Sequence, residues 1–135
     1  MAIQLSTVVR NARLDAIEIT IGASAILKIR SGAAPANTAA TDSGTVLATL
    51  NLASDYMGAA SGGSKAKSGT WEDASADAAG TAAHFRLYAS DGTTCHLQGT
   101  LTATGGGGDM TVDNVIFASG QAFTVTAFTI NEANA

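Results

Sequence analysis

The chain has 135 residues, enough for one domain with its own core, yet only 13% of them are charged where an ordinary soluble domain carries about 25%. With a net charge of -4 and only 7 Lys plus Arg it cannot neutralise a run of phosphates, and no stretch approaches the roughly 20 apolar residues of a spanning helix. Nucleic acid and membrane are therefore excluded as expected partners. Alanine, glycine, serine and threonine fill the gap, and a surface so poor in charge points to partial coverage by partner subunits.

The N-terminal stretch "LSTVVRNARLDAIEITIG" offers Ser6 and Thr7 as helix caps and Gly22 as a stop. Leu5, Val9, Ala12, Ala16 and Ile19 recur at helical spacing, and Leu14, Ile17 and Ile21 form a second stripe on nearly the opposite side. The spacing predicts a helix apolar on two sides, which wants its own sheet on one and a neighbouring subunit on the other. Ile17, Ile19 and Ile21 also alternate, as in a short strand. Arg10, Arg13, Asp15 and Glu18 interrupt any signal-peptide core. The expected division is an arm or helix over 1–22 and a β domain over 23–135.

After Gly22 the apolar period becomes two. "SAILKIRSG" places Ala25, Leu27 and Ile29 inward and Lys28 and Arg30 outward, and "AAPANTAATDSG" reads as a loop. In "TVLATLNLA", Val46, Ala48, Leu50 and Leu52 face inward. "SDYMGAASGGSKAKSG" reads as a long flexible connection and "GTWEDAS" as a short strand around Trp71. A hairpin, a Gly-rich turn, "MTVDNVIFA" and "AFTVTAFTI" follow before a polar tail. About seven to eight strands with Gly-rich turns and one helix predict an all-β fold, an antiparallel sandwich, jelly roll or barrel.

The hairpin "HFRLYASDGTTCHLQGTLT" holds both histidines and Cys95. Pairing Leu87 with Leu97 makes one face apolar, Cys95 included, and leaves His84, Arg86, Tyr88, His96, Gln98 and Thr100 on the other. That register puts His96 across from Tyr88, demands an odd-length loop (Asp91 to Thr93 or Ser90 to Thr94), and sets the histidines about 13 Å apart, too far to share zinc. Cys95 has no partner for an internal disulfide. "TGGGGD" lacks the Lys-Ser or Lys-Thr of a phosphate loop, and its glycines suit positive φ angles and the close approach of another chain. No GxSxG presents a nucleophile, so no catalytic residue, metal or cofactor is expected. Glu72, Asp73 and Asp77 beside Trp71 leave a sugar- or calcium-binding loop as an alternative to a solvated one.

The segments "RNARLDAIE", "IGASAILKIRSGAAP", "SGTWEDASADAAGTAAHFRLYASDGTTCHLQGT" and "TATGGGGDMTVDN" resemble those of small virion proteins of tailed phages. Within that group the chain is similar to the capsid cement, or decoration, proteins of podophages such as the Bordetella phages. The resemblance implies a jelly roll, often paired, that is made in the host bacterial cytoplasm and clamps neighbouring copies of the major capsid protein on the virion surface. Proteins of this size and composition also serve at the tail and at the head-to-tail connection, which is the alternative, while a virion-surface carbohydrate-binding module would use Trp71 and the acidic loop. A cement protein is non-enzymatic and holds by many modest contacts. The expected contact residues are Val9, Arg13, Leu14, Ile17 and Ile21 on the helix, Arg86, Tyr88 and His96 on the hairpin, and Tyr56 and Trp71 beside the loops; a homo-oligomer, preferably a dimer, is expected.

Overall fold

The computed structural model describes residues 2–133. One helix, α1 (Thr7–Ile21), precedes nine strands: β1 (Ile26–Ser31), β2 (Val46–Asn51), β3 (Ser64–Ala66), β4 (Glu72–Asp73), β5 (Gly80–Tyr88), β6 (Cys95–Ala103), β7 (Met110–Val112), β8 (Ile116–Phe117) and β9 (Phe123–Asn131). The helix starts where the sequence predicts: the Ser6 hydroxyl accepts from Val9 N at 3.3 Å, and Gly22, at φ +88°, closes it by donating to Glu18 O at 2.9 Å. A residue with a Cβ would be strained at that φ, which is why the helix ends there.

The strands form one curled sheet in the order β2-β1-β5-β6-β7-β9-β3, with β4 on β9 and β8 on β5. The curl brings the β4 segment back to the free edge of β2: Thr49 N donates to Asp73 Oδ2 at 3.0 Å and Asp77 N to Leu47 O at 2.8 Å. Asp73 and Asp77, candidates for a ligand loop, thus cover an edge that would otherwise invite pairing with another chain. Inside the curl lie Leu27, Ile29, Ala48, Leu50, Phe85, Leu87, Val112 and Val125. Phe128 packs at 5.4 Å from Phe85 and 5.7 Å from Trp71 between ring centroids. Leu14 and Ile21 are also buried, and Ile21 joins this core, so α1 is part of the same packed body.

The sheet is mixed, and not wholly antiparallel as the patterning predicts. β6 and β7 run parallel, Leu101 beside Met110, although only residues 104–109 connect them. Parallel neighbours ordinarily need a crossover of a dozen or more residues. Here the glycine run allows a return over the chain's own strand: Gly105 and Gly107 take φ of +87° and +80°, and a Cβ on Gly106 or Gly108 would stand 2.7 or 2.9 Å from Thr102. The close approach expected for these glycines is to β6 of the same chain.

The hairpin pairs Leu87 with Leu97 and His84 with Thr100, as face matching requires, but a bulge then sets Tyr88 opposite Cys95 instead of His96. Ala89 N donates to Thr94 O at 3.0 Å, leaving a four-residue loop, 90–93, in place of the odd loop expected. The bulge absorbs the extra residue, and it also turns Cys95 onto the polar face, where its Sγ accepts from Arg86 Nε at 3.2 Å.

Candidate interaction surface

Three faces of α1 have different fates. Leu14, Ile17 and Ile21 pack inward. Asn11, Asp15 and Glu18, spaced as one stripe, hold the connection before and through β3: Asn11 Oδ1 accepts from Gly63 N and Asp15 Oδ1 from Ala60 N, each at 2.9 Å, while Glu18 Oε1 accepts from Tyr56 N and Met57 N at 3.1 Å. Lys65, only 3% exposed, reaches back to Asp15 at 2.9 Å and Glu18 at 3.0 Å. The connection that reads as flexible is therefore pinned by side-chain acceptors to a rigid helix.

The third face is left bare. Val8 is 77% exposed, Ile19 80% and Val9 44%, with Ala12 and Ala16 between them also exposed. Beside this stripe Arg13, Ala16, Ile17, Thr20 and Ile21 meet His96 in an open groove of about 290 Å³. Of the ten predicted contact residues, the fold brings Arg13, Ile17, Ile21 and His96 together and leaves Val9 on the adjoining stripe. Arg13 is held there by Glu132 at 2.6 Å.

The other predicted contacts are interior. Leu14 is 1% exposed, Tyr56 1% and Trp71 2%, its indole nitrogen donating to Tyr56 O at 3.1 Å. A Trp so buried has no face to stack on a sugar, which removes the carbohydrate alternative built on it. Arg86 and Tyr88 are not the outward surface that hairpin alternation predicts, because residues 33–44 fold over that face as a strap. Arg86 donates to Thr38 O at 2.6 Å, Ala40 O at 3.1 Å and Asp42 Oδ1 at 2.6 Å; Arg30 donates to Asp42 Oδ2 at 2.6 Å, and the Tyr88 hydroxyl to Asp42 Oδ1 at 2.7 Å. Burial works against the Asp42 carboxylate, but the Tyr88 hydroxyl and the two guanidinium groups hold its pKa below the ordinary value. Burial and the Asp42 charge push Tyr88 up to about 12.

Asp42 is the residue that sequence reasoning missed. Its signal is the cationic face of two paired strands: Lys28, Arg30 and Arg86 project together, and Asp42 is the only carboxylate between β1 and β2. Val8 is missed because the exposed stripe is read one position too narrowly.

His84, 1% exposed under the strap, contacts the Gly32 carbonyl through Nδ1 at 2.7 Å. A carbonyl only accepts, so Nδ1 carries the proton, and Nε2 has no partner among the described residues. Burial lowers its pKa below 6.5, against the Gly32 bond and assisted by Arg30 and Arg86. Unfolding therefore takes up a proton that the folded chain refuses, and stability falls as pH drops through 6.5. Thermal unfolding between pH 8 and 5 is expected to show this loss in the native chain and a flatter profile in His84→Asn, whose amide can still donate to Gly32; equal profiles would contradict it.

Among the described residues no group of three or more His, Cys, Asp or Glu could hold a metal ion, and no helix is long and apolar enough to cross a membrane. No protein family, curated protein or solved structure matches this chain.

Proposed function

We propose that this chain is a non-enzymatic structural protein of a phage virion, a cement protein that binds the outside of the major capsid protein shell as a homo-oligomer and stabilises the head. One observation carries the reading: an apolar stripe, Val8, Val9, Ala12, Ala16 and Ile19, stands bare on a helix locked to the fold by Asn11, Asp15, Glu18 and Lys65. A fixed apolar face suits a protein partner, since little ordering entropy is lost on docking. The likeness of the quoted segments to phage cement proteins supplies the kind of partner. A jelly roll belongs to the same proposal; the curl of the sheet supports it, and the parallel β6–β7 pair departs from it.

Val8→Asp with Ile19→Glu is expected to weaken binding to expanded capsid shells at least tenfold, about 1.4 kcal/mol or more, because two charges would be desolvated at the contact. Both side chains are exposed, so thermal stability should be nearly unchanged. Co-sedimentation with shells checks it, and unaltered binding overturns the role of the stripe. Electron microscopy of the intact particle should place the protein on the outer head surface; density at the tail or the head-to-tail joint would favour a tail or connector role instead.

A further inference from the structure

The strap over the hairpin is attached by polar contacts. None of residues 33–44 is buried, their apolar members are alanines and Pro35, and Asp42 is the only charged residue among them. Asp42 and the carbonyls of Thr38 and Ala40 hold them to Arg30, Arg86 and Tyr88, and Gln98 Nε2 donates to Pro35 O at 2.7 Å. A segment without buried apolar side chains loses little by lifting into water and belongs to the low-stability end of a fold.

Its ends are built to turn. Gly32 and Gly44 bracket the strap at φ of +74° and +70°, where a side chain would be strained. Outside them the base is closed, since Ser31 N donates to Thr45 O at 3.1 Å and Thr45 N to Ser31 Oγ at 3.0 Å. Inside them Ser43 Oγ donates to Ala33 O at 2.8 Å and ties the two limbs to each other. The segment can therefore move as a unit without opening the pairing of β1 with β2.

Beneath it lies His84, with Nδ1–H fixed on Gly32 O and a buried Nε2 that has no partner among the described residues. A second proton can only go to Nε2, where it would be a charged donor without an acceptor. Around His84 stand Arg30, directly opposite on β1, with Lys28 on the same strand; Arg86 and Tyr88 on β5; Cys95 on β6, in contact with Arg86; and Asp42 on the strap. Asp109 is bound to Thr100, the residue opposite His84 on β6, and His96 lines the groove beside α1. Three cations thus share the covered face with one strap carboxylate, and a charge on His84 would be a fourth.

We propose that the strap is a proton-operated lid: a proton on His84 Nε2 lifts residues 33–44 about Gly32 and Gly44 and uncovers a face of Lys28, Arg30, His84 and Arg86 while the sheet stays folded. Lifting brings water to Nε2, which supplies the missing acceptor and screens the four charges. The open form binds the proton more tightly than the closed one, because burial holds the closed histidine below 6.5, so opening is favoured as pH falls through 6.5. The device is separate from the helix stripe and does not depend on the partner that binds there.

Limited proteolysis of the full chain with proteinase K at pH 8 and pH 5 tests it, each rate divided by that of a free peptide of residues 31–46 to remove the pH dependence of the protease. Cleavage within 33–44, located by mass spectrometry, should be at least fivefold faster at pH 5, with the fluorescence of buried Trp71 unchanged. His84→Asn should be cut at the same relative rate at both pH values. Asp42→Asn should be cut faster than the native chain already at pH 8, since the lid has lost its one charge. Equal relative rates for the native chain at the two pH values overturn the proposal. So does cleavage at pH 5 that spreads over the other loops with a shifted Trp71 emission, which is global unfolding. Should His84→Asn fail to fold, the two rates of the native chain decide by themselves.

Discussion

Asp42→Ala is expected to lower unfolding free energy by about 3 kcal/mol, which for a chain of this size is a fall of about 10 °C in Tm. Arg86 is 1% exposed and Arg30 6%, and one carboxylate is the shared counter-charge of both. Removing it leaves two guanidinium groups under the strap with carbonyl oxygens but no counter-charge, and water reaches them only by lifting residues 33–44 away. Asp42 itself is 38% exposed, so the cost sits at the lower end of the range for breaking a buried pair. Adding Arg86→Met to Asp42→Ala should cost less than Arg86→Met alone by about 1 kcal/mol or more, because the second change removes the uncompensated charge. Denaturant unfolding of the four chains checks both statements. Additive losses would mean that the strap is held by its carbonyl contacts and not by the ion pairs.

Lys65→Ala should cost about 2 to 3 kcal/mol and should act mainly on the helix. The ammonium sits between Asp15 and Glu18 and donates to Gly58 O at 2.9 Å, so it ties α1 to the connection that precedes β3. Without it, two carboxylates on successive turns repel one another while still accepting from main-chain amides. Hydrogen exchange should accelerate at α1 more than at β1 or β5, and binding through the helix stripe should weaken although no stripe residue has changed. Equal acceleration everywhere would show that Lys65 contributes only to global stability. Below the carboxylate range the same tie is lost in the native chain: the Lys65 and Ala60 bonds hold Asp15 below 3.8, so its contribution is present above that pH and disappears as pH falls through the lower, folded value.

Local patterning accounts for a large part of the architecture. The cap at Ser6, the stop at Gly22, the apolar set Ala25, Leu27 and Ile29, and the pairing of Leu87 with Leu97 were all legible, because each depends on residues close in the chain or on matching two faces. The two-sided helix was legible for the same reason, and the fold buries one side and leaves the other bare. The hairpin loop was misjudged because face matching assumes an unbroken ladder, and a single bulge at Tyr88 changes the parity.

Arg86 and Tyr88 show where such reasoning stops. Alternation correctly puts them on the face opposite the core, but it cannot say whether water or another segment covers that face. The answer lies in a loop more than forty residues away that carries one carboxylate where three cations converge. Tyr56 and Trp71 are misjudged in the same way, because short irregular segments have no period from which burial could be read.

Composition and periodicity by themselves determined a β-rich chain with one amphipathic helix and few charges, since these follow from side-chain chemistry and near-neighbour spacing. Only the tertiary structure decided which polar face is buried and that β7 joins β6 in parallel, because burial of charge and glycine-permitted backbone are settled by what meets in space.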